Sequence, residues 1–235
     1  LSYNKKELMK AMLQKKGIQI PESANTTGPS NKNTAVASYA QRRFWFLYEM
    51  EPEGYSYNIN SSFIINGDLN VEAFKRSFDK IIDRHQTLRT TFYIEDGTLY
   101  QKINNHAGDY FRVKALDNNT DDQNSFYKNV AITESQKPFN IYEGPLLNVT
   151  IYEACTKEHL VCITLHHIIA DGWSIGIISR ELSALYENEV TKSAGPINDL
   201  DYQFIDYCEE QNINEKNGKL EESKKYWVSQ LFDAN

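Results

Sequence analysis

The sequence predicts a domain of the α/β or α+β class, in which a mixed β-sheet is flanked by helices. Segments with apolar residues at helical spacing interleave with short β-branched runs along the chain, and no internal repeat is evident. The composition, with 40% hydrophobic and 24% charged residues, is that of an ordinary globular protein. A length of 235 residues fits one large domain or two small ones.

Composition also narrows the classes of function. The net charge of −7 argues against a nucleic-acid binder, which usually shows a basic face. No apolar run approaches the ~18 residues of a membrane span, and the N-terminus lacks the apolar core of a signal peptide, so we expect a cytoplasmic protein without membrane contact. The odd number of cysteines and the lack of a Cys-x-x-Cys pair argue against a disulfide framework or a zinc site. Free thiols are therefore expected at Cys155, Cys162 and Cys208.

Two segments are expected to precede the main domain. Residues 1–20 contain a short basic amphipathic helix whose leucines and methionines fall on one face. Residues 21–34 are polar and rich in Pro, Gly, Ser and Asn, which predicts a linker. The main domain is expected over residues 35–235. Because the chain begins without Met, we expect it to be part of a longer protein.

The first half of the main domain opens with the aromatic helix AQRRFWFLYEM, followed by a strand at 57–67. Asn70 is placed to cap the next helix, residues 71–85, whose apolar positions form one stripe. The stripe consists of Val71, Phe74, Phe78, Ile81 and Ile82. Two β-branched runs, 87–94 and 98–103, are joined by Glu95-Asp96-Gly97, which predicts a hairpin.

The second half continues the alternation. Strands are predicted at 109–116, 146–154 and 159–167, and helices at 125–136, 174–189, 203–212 and 219–232. The run VCITL within the last strand is continuously apolar, which is typical of a strand buried on both faces. Ser174 is expected to be the N-cap of the helix that follows, and Glu181 is expected to face outward from it.

The stretch LHHIIADGWS, residues 165–174, is the most informative in the chain. His166 and His167 stand at the end of the predicted buried strand, and because side chains alternate along a strand, the two imidazoles are expected to point to opposite faces. One ring can then face a cavity while the other packs inside, so the pair is not expected to bind one metal ion. A histidine beside a helix N-terminus suits general acid–base chemistry, since an ordinary imidazole titrates near working pH.

The turn after the histidines predicts further features of a site. Gly172 is suited to a backbone angle that other residues resist. The amides at the helix start can interact with a developing negative charge. Asp171 is too close in sequence to reach the His167 ring without a tight loop, so we expect it to pair with an arginine that holds the loop in shape.

Paired histidines alone are usually surface or core residues, and Asp-Gly pairs are usually turns. The full pattern HHxxxDG is rarer: with each fixed residue at a frequency of a few per cent, chance produces it in about one in a few thousand chains of this length. Its presence therefore needs a specific explanation.

The pattern HHxxxDG resembles the signature of condensation domains of nonribosomal peptide synthetases, and of the wider acyltransferase superfamily that includes chloramphenicol acetyltransferase. Other segments resemble motifs of that family in the expected order and spacing: SYAQRRFWFLYEMEP (38–52), RHQTLRTTF (84–92), PFNIYEGPLL (138–147), DYQFIDYCEEQ (201–211) and YWVSQL (226–231). The fourth of these departs from the family at Cys208 and Glu209, where small or apolar residues are more usual. The resemblance covers about residues 36–235, and the last three motifs of the family are missing.

The resemblance implies the N-terminal lobe of a two-lobed, chloramphenicol-acetyltransferase-like fold whose active site lies between the lobes. It implies a reaction in which an acceptor amine attacks a donor thioester, with both substrates carried on phosphopantetheine arms of upstream and downstream peptidyl carrier proteins. No metal or bound cofactor is implied. The C-terminal lobe and an adjacent adenylation domain of the parent synthetase are expected as further partners.

The same resemblance implies a subtype. Both histidines are present, whereas heterocyclising relatives carry aspartates at these places. The first two motifs are most similar to those of condensation domains that join an L-configured donor to an L-acceptor.

Carried over residue by residue, the resemblance implies that His167 is the catalytic histidine, acting either as a base or as a group that orients the amine. It implies that His166 packs and forms hydrogen bonds, and that Gly172 gives the loop room near the substrate.

Two arginines are assigned supporting roles. Asp171 is expected to form an ion pair with Arg84, and Arg89 to make a contact that stabilises the fold. Trp45 and Trp227 are expected to be core aromatics.

Two other interpretations stay open. The chain can be a non-catalytic lobe that serves folding, docking or carrier-protein binding, or a coenzyme A-dependent acyltransferase of the same superfamily, although the match of several motifs counts against the latter. Because the opposite wall of the active site is missing, we expect the 235-residue chain alone to be inactive.

Overall fold

A computed structural model of the chain describes residues 33–116, 122–154, 157–193, 195 and 197–232. The helix predicted within residues 1–20, and the linker as far as residue 32, lie outside the described residues. Thr34, at the end of the predicted linker, already belongs to a strand, in which it is paired with Lys102.

The described residues form seven strands and six α-helices. The strands are β1 (Thr34–Val36), β2 (Asn58–Asn66), β3 (Thr90–Glu95), β4 (Thr98–Ile103), β5 (Phe111–Ala115), β6 (Leu147–Glu153) and β7 (Glu158–His166). The helices are α1 (Tyr39–Met50), α2 (Val71–Arg84), α3 (Gln123–Ser135), α4 (Gly172–Thr191), α5 (Phe204–Lys216) and α6 (Glu221–Leu231). The strand predicted at 87–94 begins later than expected, because Gln86–Arg89 forms a 3-10 turn. Within that turn, the Thr87 hydroxyl donates to the Ile169 carbonyl at 3.0 Å and ties it to the loop after β7.

The strands form two sheets. β1, β4 and β3 make a small antiparallel sheet in the order β1-β4-β3. The larger sheet has the order β2-β7-β6-β5 and is mixed, since β5 and β6 are parallel while the other pairs are antiparallel. The predicted class, with a mixed sheet flanked by helices, is confirmed.

Strand β7 lies inside the larger sheet and is buried from Leu160 to its end, as its apolar run predicts. Val161, Ile163 and Leu165 belong to the main apolar cluster, which also contains residues of α2 and α4. Leu160 and Cys162, which alternate with them, belong to a second cluster that includes Tyr127 of α3. Each fully buried side chain of this size contributes about 1.5–3 kcal/mol relative to exposure. Helices on both faces therefore hold the strand end that carries the histidines.

Helix α2 forms as the sequence predicts. The Asn70 side chain accepts a hydrogen bond from the Ala73 N–H at 2.9 Å and caps the helix. Phe74, Phe78, Ile81 and Ile82 of the apolar stripe are buried in the main cluster. The cap satisfies a backbone donor that has no partner inside the helix.

Helix α1 is fixed at its start by a capping box between Ser38 and Gln41. The Gln41 side chain is 1% exposed and faces Cys208 of α5, with 3.7 Å between Oε1 and Sγ. Cys162 and Cys208 are free and buried, and burial raises the pKa of the Cys208 thiol to about 11. Cys155 lies outside the described residues.

The two tryptophans differ from each other. Trp45 is partly buried against the main cluster and donates from Nε1 to the Tyr142 hydroxyl at 3.0 Å. Trp227 is 58% exposed, so its assignment to the core is wrong. It lies on α6, none of whose residues is buried, because few of the described residues pack against that helix.

Candidate active site

The two histidines are held by backbone hydrogen bonds at the end of β7. The His166 N–H donates to the Leu146 carbonyl at 3.0 Å, and the His167 N–H donates to the Tyr57 carbonyl at 2.8 Å. The next three residues, 168–170, are buried and carry the chain to the start of α4. The site therefore rests on the strand and on a packed loop.

His166 points into the protein and is 4% exposed. Its Nδ1 accepts a hydrogen bond from the Ile168 N–H at 3.1 Å, which places the ring proton on Nε2. The rings of Tyr48 and Phe139 meet it edge-on, with centroids 6.4 Å and 6.2 Å away. Burial, and then the neighbouring His167, lower the pKa of His166 to about 4. His166 is therefore neutral at pH 7 and suited to packing.

His167 has different surroundings and lies in the turn directly after β7, so the strand predicted to reach it ends one residue earlier. Its side chain is partly exposed, and its ring is stacked on Phe44 of α1, with centroids 4.6 Å apart and an interplanar angle of 20°. Phe44 in turn meets the Tyr57 ring edge-on at 5.4 Å. His167 is thus partly exposed, with one face of its ring stacked on an aromatic side chain.

The start of α4 is capped by Asp171. The Ser174 N–H and hydroxyl donate to Asp171 Oδ1 at 2.9 Å and 2.7 Å, and the Asp171 N–H donates back to Ser174 Oγ at 3.1 Å. Ser174 is thus the third residue of the helix and not its N-cap, which corrects the prediction. The hydrogen bonds from Ser174, and a further one from the Trp173 N–H, lower the pKa of Asp171. The Trp173 and Ser174 amides therefore face the Asp171 carboxylate and not a substrate charge, contrary to what was expected of the helix start.

The predicted ion pair between Asp171 and Arg84 is also wrong. Arg84 Nε lies 3.2 Å from Glu181 Oε1, and His85 Nε2 lies 2.7 Å from Glu181 Oε2, with all three side chains 16–18% exposed. Glu181 follows Asp171 by ten residues along α4, a rise of about 15 Å. The C-terminal end of α2 therefore meets the middle of α4 and not its start.

Gly172 and Arg89, the other residues assigned to the site from the sequence, have the following local geometry. Gly172 does not have a positive φ, so the expectation of an unusual backbone angle is wrong, and a Cβ placed there would meet no atom within 4 Å. Arg89 donates from Nη1 to the Asn104 carbonyl, which ties the 3-10 turn to the residue after β4. The stabilising role predicted for Arg89 stays a prediction, to which this contact gives a structural basis.

Comparison of the sequence with known protein families assigns the chain that carries this histidine pair to a family. Residues 31–234 match the sequence profile of the condensation domain. The chain belongs to the condensation domain family. It is 36% identical over 198 residues to a linear gramicidin synthase of Brevibacillus parabrevis, and 34% identical over 206 residues to bacitracin synthase 3 of Bacillus licheniformis. These matches cover 84% and 88% of this chain but only 4% and 3% of the relatives, so the chain corresponds to a small part of such proteins. The predicted membership among condensation domains of nonribosomal peptide synthetases is confirmed.

Solved structures agree on the fold of this condensation-domain chain. The starter condensation domain of rhizomide synthetase matches with a TM-score of 0.76 at 22% identity, over 87% of this chain and 49% of that one. The X-domain in its complex with OxyB from teicoplanin biosynthesis matches with a TM-score of 0.76 at 20% identity, over 88% of this chain and 45% of the other. The chloramphenicol-acetyltransferase-like fold is confirmed, and the chain spans about half the length of these structures.

Two residues that contact His167, Phe44 and Tyr57, were not predicted from the sequence. The pairing of Glu181 with Arg84 and His85, away from the histidine pair, was not predicted either, since Glu181 was expected to face outward. The helical spacing of Phe44, Leu47 and Tyr48 places them on one face of α1, but nothing in the sequence indicated which ring Phe44 meets. Within the described residues, no group of three or more His, Cys, Asp and Glu side chains is placed to hold a metal ion. None of the helices in the same ranges is long and apolar enough to cross a membrane.

Proposed function

We propose that the chain is the N-terminal lobe of a condensation domain that forms a peptide bond between a donor aminoacyl or peptidyl thioester and an acceptor amine, with an L-configured donor and an L-acceptor. Family membership supports the reaction class. The observation that carries the assignment of His167 is the contrast within the pair. His166 is 4% exposed with a pKa lowered to about 4, whereas His167 is partly exposed and has one face of its ring stacked on Phe44.

In this reaction the acceptor nitrogen attacks the donor carbonyl carbon. The new C–N bond forms, the C–S bond of the thioester breaks, the amine loses a proton and the leaving thiolate takes one up. His167 either accepts the amine proton or accepts a hydrogen bond that orients the amine for attack. Holding both tethered substrates in one place supplies much of the rate enhancement, because it turns an encounter of two molecules into a step within one complex.

The proposed partners follow from this reaction. Upstream and downstream peptidyl carrier proteins present the substrates on phosphopantetheine arms, and a C-terminal lobe supplies the opposite wall of the site. An adjacent adenylation domain of the parent synthetase loads the acceptor. The chain itself binds no metal and no resident cofactor in this proposal.

The test uses a polypeptide in which this chain is continued by a C-terminal lobe, assayed with two loaded carrier proteins. We expect His167→Ala to lower the rate of condensation by about 10²-fold or more, the usual contribution of a positioned acid–base group. His106→Ala is the matched control, because His106 is exposed and distant in sequence from the motif. Full activity of His167→Ala would remove the catalytic assignment. An equal rate with L- and D-configured donors would remove the proposed stereochemistry.

One solved structure suggests an acyl-CoA as a second candidate for the acyl donor. The starter condensation domain of rhizomide synthetase, in a mutant form, has been solved in complex with C8-CoA, and its fold matches this chain with a TM-score of 0.76. The same assay therefore includes a medium-chain acyl-CoA in place of the donor carrier protein. Use of the acyl-CoA alone would favour coenzyme A-dependent acyl transfer, whereas carrier binding without turnover of either donor would favour a non-catalytic lobe. The 235-residue chain by itself is expected to be inactive in all arms.

A further inference from the structure

We infer that Phe44 is a positioning residue for His167. Phe44 covers one face of the His167 ring in a stacked arrangement, with 4.6 Å between centroids and an interplanar angle of 20°. The inference rests on the proposed function, because it takes His167 as the group that meets the acceptor amine.

Three contacts connect Phe44, His167 and Tyr57 in a closed set. The His167 N–H donates to the Tyr57 carbonyl at 2.8 Å, the Tyr57 ring meets the Phe44 ring edge-on at 5.4 Å, and the Phe44 ring is stacked on His167. The three residues come from α1, from the segment before β2 and from the turn directly after β7. The first contact restrains the backbone of His167 and the last restrains its ring, while the second joins the two residues that make these contacts.

The ring of His167 needs this restraint more than its backbone does. The torsion that rotates a histidine ring about its Cβ–Cγ bond has broad minima, so a fixed backbone leaves the ring plane undefined. Within the described part of the chain, no hydrogen bond to the His167 ring is found. The stack is therefore the contact that sets the ring plane, and it leaves the ring edge with both nitrogen atoms uncovered by Phe44.

Phe44 can act in this way because α1 is itself held on both sides of it. The capping box of Ser38 and Gln41 fixes the start of the helix, and Gln41 is buried against Cys208. Trp45, the next residue, donates to the Tyr142 hydroxyl at 3.0 Å, which opposes rotation of the helix about its axis. The aromatic face is thus presented to His167 by a supported helix.

Loss of the Phe44 ring is expected to affect kcat and not KM. Without the Phe44 ring, His167 keeps its chemistry but samples more orientations, so a smaller fraction of bound complexes has the imidazole nitrogen aligned with the amine. Misplacement of a catalytic group by about 1 Å can lower a rate by 10²-fold. We expect Phe44→Leu, which keeps the apolar bulk, to lower kcat by about 10-fold with an unchanged KM for both loaded carrier proteins.

The kinetic test compares three variants in the two-lobed polypeptide. Phe44→Leu removes the aromatic face, and Phe44→Tyr restores it and is expected to restore kcat. Phe46→Leu is the matched control, since it makes the same substitution on the same helix at a side chain that is 59% exposed. Unchanged kcat in Phe44→Leu, beside an inactive His167→Ala, would overturn the inference. A fully active His167→Ala would instead overturn the proposed function, so the two failures are distinguishable.

A spectroscopic test is independent of activity. In the chain labelled at histidine, the ring current of a stacked phenylalanine shifts the carbon-bound ring protons of His167 upfield. We expect this shift in the unsubstituted chain and in Phe44→Tyr, and its loss in Phe44→Leu, while the exposed His106 resonances stay unchanged in all three. An unshifted His167 in the unsubstituted chain would contradict the stack itself, and with it the positioning role.

Discussion

The buried neutral His166 makes the stability of the chain depend on pH in a way that can be worked out. The pKa of His166 is lowered from the ordinary 6.5 to about 4, first by burial and then by the neighbouring His167. Between these two pH values the unfolded chain binds a proton at this position and the folded chain does not. Stability therefore rises with pH across this window, and the contribution of His166 is complete above pH 6.5 and lost as the pH falls to 4.

The size of the effect follows from the two pKa values. A pKa lowered from 6.5 to about 4 corresponds to about 3 kcal/mol of the free energy of unfolding at pH 7 relative to pH 4. This is a large part of the stability of a typical domain, which is about 5–15 kcal/mol. Carboxylates such as Asp171, whose pKa is lowered, add to acid sensitivity with the same sign, so the contribution of the histidine has to be isolated.

The substitution His166→Asn isolates the contribution of the histidine to the pH dependence of stability. Asparagine does not titrate, and its Oδ1 can accept the hydrogen bond that His166 Nδ1 accepts from the Ile168 N–H. Urea unfolding of both chains, at closely spaced pH values between 4 and 7.5, gives the difference in their free energies of unfolding at each pH. We expect this difference to change by about 3 kcal/mol in favour of the unsubstituted chain as the pH rises from 4 to 6.5, and then to become constant. A difference that is flat across the window would refute the buried, neutral state of His166.

Two further predictions concern contacts away from the histidines. A double-mutant cycle between Arg84→Met and Glu181→Gln, measured by urea unfolding, is expected to give a coupling free energy of about 1–2 kcal/mol, since both side chains are less than one fifth exposed. The cycle between Arg84→Met and Asp171→Ala is expected to give a coupling free energy near zero. Coupling of similar size in the second cycle would contradict the arrangement of α2 and α4. Iodoacetamide at pH 8 is expected to leave Cys162 and Cys208 unmodified in the native chain, because both are buried and a pKa of about 11 leaves only about one Cys208 in 1,000 as thiolate. Peptide mass spectrometry after labelling with and without urea measures this. Labelling of native Cys208 at the rate of a free thiol would disprove it.

The elements of the domain were predictable because each carries a local pattern. The stripe of α2 and its Asn70 cap are present as predicted, and so is the buried run of β7. The boundary at Thr90 was not predictable in this way. A β-branched run favours a strand, but the 3-10 turn before it is held by a hydrogen bond from Thr87 to Ile169, which lies more than 80 residues away in sequence.

The candidate site was predictable in its residues and less so in its contacts. The HHxxxDG pattern identified the histidines, and their different surroundings were expected, although His167 lies in the turn after β7 and not in the strand. Asp171 was assigned an arginine partner because a carboxylate near a site was assumed to need a cation, but backbone amides and the Ser174 hydroxyl already provide its hydrogen bonds. A helix cap thus satisfies the charge locally.

The sequence by itself determined the class of fold, the order of the helices and strands after β1, the family and the position of the histidine pair. These depend on periodicity, on capping residues and on motif spacing, all of which act over a few neighbouring residues. Only the tertiary structure decided that Arg84 meets Glu181, that Phe44 covers His167 and that Trp227 is exposed. Each of these depends on how separate elements are placed against one another, because a side chain contacts whatever the packing of two distant segments brings to it.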